Sequence, residues 1–108
     1  MGTINPVSVG DFIVVIGKVP SAPAGFTDAG PTGSDQNVSW TASAGATSYN
    51  IYLAEEGGGY VLWTTAAAAD TTKTLTGLAS STNYQGKIMA VNSYGESADS
   101  NVISFTSQ

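Results

Sequence analysis

Carboxylates are the strongest chemical groups this sequence offers. Glu55 and Glu56 stand side by side before three glycines, and Asp28 and Asp35 flank the stretch Gly30-Pro31-Thr32-Gly33. Histidine, cysteine and arginine are all absent. The commonest general base and metal ligand is therefore missing, and so are thiolate chemistry and any disulfide framework. Acid–base work would fall to carboxylates alone, and two of them would have to converge on one reacting group. Neighbours on an extended strand point to opposite faces, so Glu55 and Glu56 read as the start of a solvated turn. Asp28 and Asp35 read as turn formers, and a calcium loop would need more oxygen ligands at closer spacing. The expectation is a chain that is not an enzyme and uses neither metal nor cofactor.

Aromatic side chains offer a second kind of chemistry. Tyr52 is expected to point outward from its strand, with Trp63 on the next strand and Met89 nearby on the same outer face, while Tyr94 caps the last hairpin. A flat strip of such rings stacks well on sugar rings, because aromatic side chains present a large contact area at little entropic cost. A glycan is the ligand such a strip would take, with Tyr52, Trp63 and Tyr94 as the candidate ligand surface; the alternative is that these rings pack partly on the sheet or cover the N-terminal arm.

Charge and hydropathy exclude other partners. Lys18, Lys73 and Lys87 are the only cations against eight acids, for a net charge of −5. Three scattered lysines cannot form the basic patch that nucleic acid requires. The densest apolar run, Phe12–Ile16 inside Gly10–Pro20, is far short of the roughly 20 residues that span a bilayer. Residues 1–10 hold no lysine or arginine, so neither a secretion signal nor a membrane anchor is expected.

The elements that must position these groups are strands. Hydrophobic residues make up 42% of the 108, enough for one core, and with only 10% charged the polar surface must come from Ser, Thr, Asn and Gln. After Pro20 the chain breaks into short alternating runs separated by Gly, Ser, Asn and Asp, the pattern of an all-β protein. The runs are Asn37–Thr41, Ser48–Glu55, Tyr60–Thr65, Lys73–Leu78, Asn83–Asn92 and Asn101–Ser107, with a turn at Glu56–Gly59 and a loop over Ala66–Thr72. The Lys18–Pro23 stretch reads as a linker leading into a strand, its two prolines unsuited to a central position.

In order along the chain, several motifs resemble the fibronectin type III domain. They are the prolines Pro20 and Pro23, the tryptophan Trp40, the Tyr49-Asn50-Ile51-Tyr52 segment, Leu78 with Thr82 and Tyr84, and the block Ala90–Ser97. The resemblance covers about residues 19–106 and implies a seven-stranded β-sandwich. Trp40, Tyr49, Ile51, Leu75, Leu78, Tyr84, Ile88 and Ala90 would face inward, with Tyr84 as the tyrosine corner between the sheets. Two departures stand out: Gly86 replaces a bulky residue, which predicts a thinner core or a large neighbour filling the gap, and Ser80 replaces a proline. The last hairpin reads Ser93-Tyr94-Gly95-Glu96-Ser97, so the Arg-Gly-Asp adhesion motif of some members is absent.

If residues 19–108 form a complete domain, residues 1–18 are an extra apolar arm or strand. The arm carries Val9, Phe12, Ile13, Val14, Val15 and Ile16, and burying each such side chain is worth roughly 1.5–3 kcal/mol. Something must cover it: its own domain, a neighbour, or a protein partner that it joins by β-addition. The expected function is a non-enzymatic structural or binding module, foremost a surface protein of a bacteriophage head or tail, assembled in many copies through the arm and located on the virion. The alternative is a spacer or weak carbohydrate-binding module of a secreted bacterial enzyme or adhesin, located outside the cell. Panels of glycoside, ester and peptide substrates should stay at background. Turnover abolished by changing Glu55 or Glu56 would overturn the non-catalytic reading.

Overall fold

Val38 and Trp40 lie two residues apart in a stretch whose intervening side chains are polar, so one face of that strand is apolar and must be covered. The same alternation in Tyr49, Ile51 and Leu53 makes a second apolar face, and the two close on each other. A computed structural model describes residues 18–108. It has eight strands: β1 (Ala24–Thr32), β2 (Asp35–Thr41), β3 (Ser48–Glu55), β4 (Val61–Ala67), β5 (Thr72–Leu75), β6 (Asn83–Asn92), β7 (Gly95–Glu96) and β8 (Ile103–Thr106). One sheet runs β1-β2-β5 and the other β4-β3-β6, with both β7 and β8 paired to β6. All pairings are antiparallel. This is the expected all-β sandwich.

The core between the sheets is aromatic at both ends. Trp40 packs on Phe26 and Tyr49, with ring centroids 6.4 and 5.4 Å away. Tyr84 stacks on Phe105 at 5.5 Å. Ile51, Leu53, Leu75 and Ile88 are buried in the same cluster, and Leu78 packs against it half-buried. Each buried tyrosine ends on a loop: the Ser43 N–H donates to the Tyr49 hydroxyl at 2.9 Å and the Ala79 N–H to the Tyr84 hydroxyl at 2.8 Å. The second contact is the expected tyrosine corner. The indole N–H of Trp40 has no acceptor among the described residues, so that ring is held by packing. Gly86 does have large neighbours. A Cβ there would lie 3.0 Å from Leu53 Cδ2 and 3.4 Å from Ile103 Cγ1, so those two side chains occupy the space a larger residue would take.

Three expectations are corrected. First, the strand count is eight, because the last strand is broken. β7 pairs with the upper end of β6 (Val91 opposite Glu96) and β8 with its lower end (Gly86 opposite Ile103). Across the break, two buried serines stand in for the ladder. The Ala90 N–H donates to Ser97 Oγ at 2.9 Å and the Ile88 N–H to Ser100 Oγ at 3.0 Å. A side-chain oxygen satisfies each buried amide that would otherwise cost roughly 1–3 kcal/mol. Second, Asp28 does not flank a turn. β1 continues through Pro31 to Thr32, where an edge strand tolerates proline, and Asp28 Oδ1 accepts from the Gly30 N–H at 2.9 Å and from Gln36 Nε2. Third, Ala66 and Ala67 belong to β4, since Ala66 faces the core.

Trp40→Ala should cost about 3–5 kcal/mol, the scale of core aromatic truncation. Tyr84→Phe, which removes only the corner hydroxyl, should cost about 1–3 kcal/mol. Urea melts measure both; a Trp40→Ala variant within about 1 kcal/mol of the parent would be incompatible with this core.

Candidate functional site

The outer face of the β4-β3-β6 sheet gathers most of the exposed chemistry. Its strand positions alternate with the core, so Asn50 and Tyr52 of β3 lie beside Met89 and Lys87 of β6. The Lys87 ammonium sits 4.4 Å from the centre of the Tyr60 ring and 5.8 Å from that of Tyr52. It also pairs with Asp99 at 3.1 Å. A lysine so placed is attracted by both ring faces and holds the two tyrosines in a fixed arrangement. Above it, Glu96 accepts from the Tyr52 hydroxyl and, at 2.8 Å, from Asn50 Nδ2.

These contacts set the electrostatics. The Tyr52 hydroxyl donates to Glu96 and Asn50 adds a second donor, so the Glu96 carboxyl is held below its ordinary value. The same hydrogen bond to Glu96, with desolvation and the nearby negative charge, holds the Tyr52 phenol above its own. Both shifts favour the hydrogen-bonded pair, a neutral phenol on an ionised carboxylate. The face therefore presents aromatic rings, one engaged cation and an occupied carboxylate: a surface suited to contact and hydrogen bonding.

The three rings expected to form a ligand strip do not come together. Tyr52 does face outward. Trp63 turns inward instead, because a bulge in β4 leaves it unpaired between Tyr52 opposite Leu62 and Ile51 opposite Thr64. Its ring meets the Tyr84 ring edge at 5.9 Å and its N–H donates to the Thr76 carbonyl at 2.8 Å. Leu62, 53% exposed, takes the place beside Tyr52. Tyr94 projects from the β6–β7 turn, 64% exposed. Tyr60, Lys87 and Glu96 escaped the sequence reading. Lys87 was detectable as an outward position between Gln85 and Met89, but nothing local shows that Tyr60 folds back over it.

Glu55 ends β3 and Glu56 opens the turn after it, where Glu56 Oε1 accepts from Asn83 Nδ2 at 2.8 Å. Among the described residues no group of three acids forms a metal cluster. The arm residues Val9, Phe12, Ile13, Val14, Val15 and Ile16 lie outside the described residues.

Residues 21–106 match the sequence profile of the fibronectin type III domain. Among solved structures, a Fn3-like protein from Clostridium thermocellum is 30% identical with a TM-score of 0.69, over 81% of this chain and 92% of that one. The twitchin kinase region of C. elegans, which includes an Fn31 segment, superposes with a TM-score of 0.73 at 23% identity, over 82% of this chain and 17% of that one. Domains FN1–FN3 of chicken CNTN1 give 0.70 at 20% identity, over 83% of this chain and 31% of that one. In the last two, then, the chain spans well under half of the matched protein, and the likeness is one of fold. No curated protein matches by sequence.

The Tyr52–Glu96 pair yields a titration test. A carboxyl with a depressed folded pKa stabilises the fold above its unfolded pKa, and that contribution is lost as pH falls through the folded value. The raised phenol acts oppositely, its contribution being lost as pH rises through the folded Tyr52 value. Tyr52→Phe removes the largest cause acting on Glu96, so the Glu96 midpoint should move up toward the ordinary carboxylate range. Side-chain carboxyl NMR reads this directly; an unmoved midpoint would refute the pairing.

Proposed function

The chain belongs to the fibronectin type III domain family, a family of non-catalytic structural and binding modules found in multidomain proteins, and from that premise we propose a module anchored to its protein partner through residues 1–18. One observation carries the proposal. Among the described residues the core runs from Phe26 to Phe105, and the family match begins at residue 21. The apolar run Phe12–Ile16 thus lies ahead of the residues that match the family. An extended segment of β-branched residues gains affinity by adding main-chain hydrogen bonds to a partner's sheet edge while its side chains are buried together.

Repetition strengthens such an anchor, since many copies on one particle add avidity to a modest single-site affinity. The surface of a bacteriophage head or tail is the setting that uses this most directly, and it is our finer reading; it rests on the arm, and the similar structures named above lend it nothing. The alternative setting is a secreted bacterial enzyme or adhesin, with the domain as spacer or weak carbohydrate-binding unit outside the cell. The similarity to segments of longer chains such as the twitchin region favours that modular use.

Deletion of residues 1–17 tests the anchor. Lys18 should be kept, because its carbonyl accepts from Asn92 Nδ2 at 2.8 Å. The truncated protein should remain a folded monomer with its melting temperature nearly unchanged, while the full chain assembles with itself or its partner and the truncated one does not. A fall of more than about 5 °C, roughly 1 kcal/mol for a domain of this size, would mean that the arm is a strand of its own domain. Light scattering and thermal melts on the two proteins decide the matter.

A further inference from the structure

Below the tyrosine–lysine face, the turn after β3 folds back toward the outer side of β6 and β8 and leaves an open cleft of about 490 Å³. We propose that this cleft binds a neutral sugar ring, an activity independent of the arm. Its size lies within the roughly 300–1,000 Å³ of small-molecule sites, and its lining decides the ligand class.

Part of the lining is small for a reason in the sequence. Ala54 is the outward-facing partner of Gln85, yet it is 5% exposed, a small side chain at the bottom of the cleft. Gly57 and Gly58 form part of the rim without adding side chains. Gly57 has a φ of +81°, a conformation in which other residues are strained. One wall is Tyr60, which the Lys87 ammonium holds from 4.4 Å. A fixed ring is the platform on which the C–H face of a pyranose stacks.

The polar groups complete the match. Thr106 Oγ1 donates to Asn83 Oδ1 at 2.6 Å, and Asn83 Nδ2 donates to Glu56 Oε1 at 2.8 Å. This chain orients the Asn83 amide and leaves the second oxygen of Glu56 to accept a ligand hydroxyl, a charge-assisted bond. The side chains of Gln85 and Ser104 line the cleft and make no hydrogen bond among the described residues. Amide and hydroxyl groups both donate and accept, as do the hydroxyls of a sugar. Charge excludes the anionic alternatives: Glu55 and Glu56 line the cleft with no cation among the lining residues, and nearby Lys87 is engaged by Asp99. Phosphates, sulfated glycans and acidic peptides would be repelled.

The test is an NMR titration of the full chain with cellohexaose, xylohexaose, chitohexaose and maltohexaose, each up to about 10 mM, a range that detects millimolar affinity. At least one should shift the backbone signals of residues 54–60, 83–85 and 104–106, with little dependence on salt. Tyr60→Ala should weaken binding about tenfold or more and Gln85→Ala several-fold, the order expected for a stacked ring and a single polar contact, with both variants melting like the parent. Tyr94→Ala, on the separate hairpin tip, should bind as the parent does. Absence of shifts with all four sugars would overturn the proposal, as would shifts confined to other surfaces. So would a salt-sensitive response of the same residues to tetralysine without any response to sugar, which would make the cleft an acidic peptide site. None of these outcomes bears on the arm, whose test is assembly.

Discussion

Two sheets without a disulfide are held apart and together by what lies between them, and here the largest of those side chains are aromatic rings. Trp40 spans from β2 to meet Tyr49 of the facing sheet, while at the other end Tyr84 stacks on Phe105 and makes a T-shaped contact with Trp63. Close packing of large flat groups leaves little tolerance for altered spacing. The tyrosine hydroxyls extend this control outward, since each accepts a loop amide and so fixes the chain where it crosses between sheets. A ring does double duty: its body sets the sheet separation and its polar tip positions a loop.

The broken last strand has consequences for the surface. A continuous strand from Gly95 to Thr106 would carry its ladder along the whole of β6. Instead Ser97 and Ser100 take over two ladder positions with their hydroxyls, and the backbone between β7 and β8 is released from regular pairing. Glu96, just before the break, reaches Tyr52 and Asn50, and Asp99, within it, reaches Lys87. Two charged groups of the outer face thus come from the segment around the break that Ser97 and Ser100 bridge to β6. The same face is lightly charged, with its lysine paired to Asp99 and its glutamate holding Tyr52 and Asn50, and what it presents is mainly polar groups and rings. Such a surface is hydrated without long-range electrostatic steering.

How much of this was legible before folding depends on the range of the cause. The period-two alternation of β3 and β6 is a local property, so spacing puts Tyr49 and Ile51 on one face with Tyr52 on the other and Tyr84 with Ile88 on one face, and the family resemblance names which face is inward. The absence of histidine, cysteine and arginine likewise removed whole classes of chemistry by composition. The Tyr84 corner followed from the family resemblance, and its partner is the Ala79 amide, five residues upstream.

What depended on distant strands was not readable. Trp63 was assigned outward, but a one-residue bulge in β4 turns it in, and the bulge exists only in the register between β4 and β3. The split into β7 and β8 arises because serine hydroxyls meet amides of another strand, a match that neither segment contains by itself. Tyr60 and Lys87 lie 27 positions apart, as do Glu56 and Asn83, and only the antiparallel pairing of β3 with β6 brings either pair together. Sequence alone thus determined the fold class, the inward faces and the missing chemistry, because alternation and composition act within a few residues. The tertiary structure decided which side chains share the outer face and where a ligand could sit, because register between strands is a property of the assembled sheet.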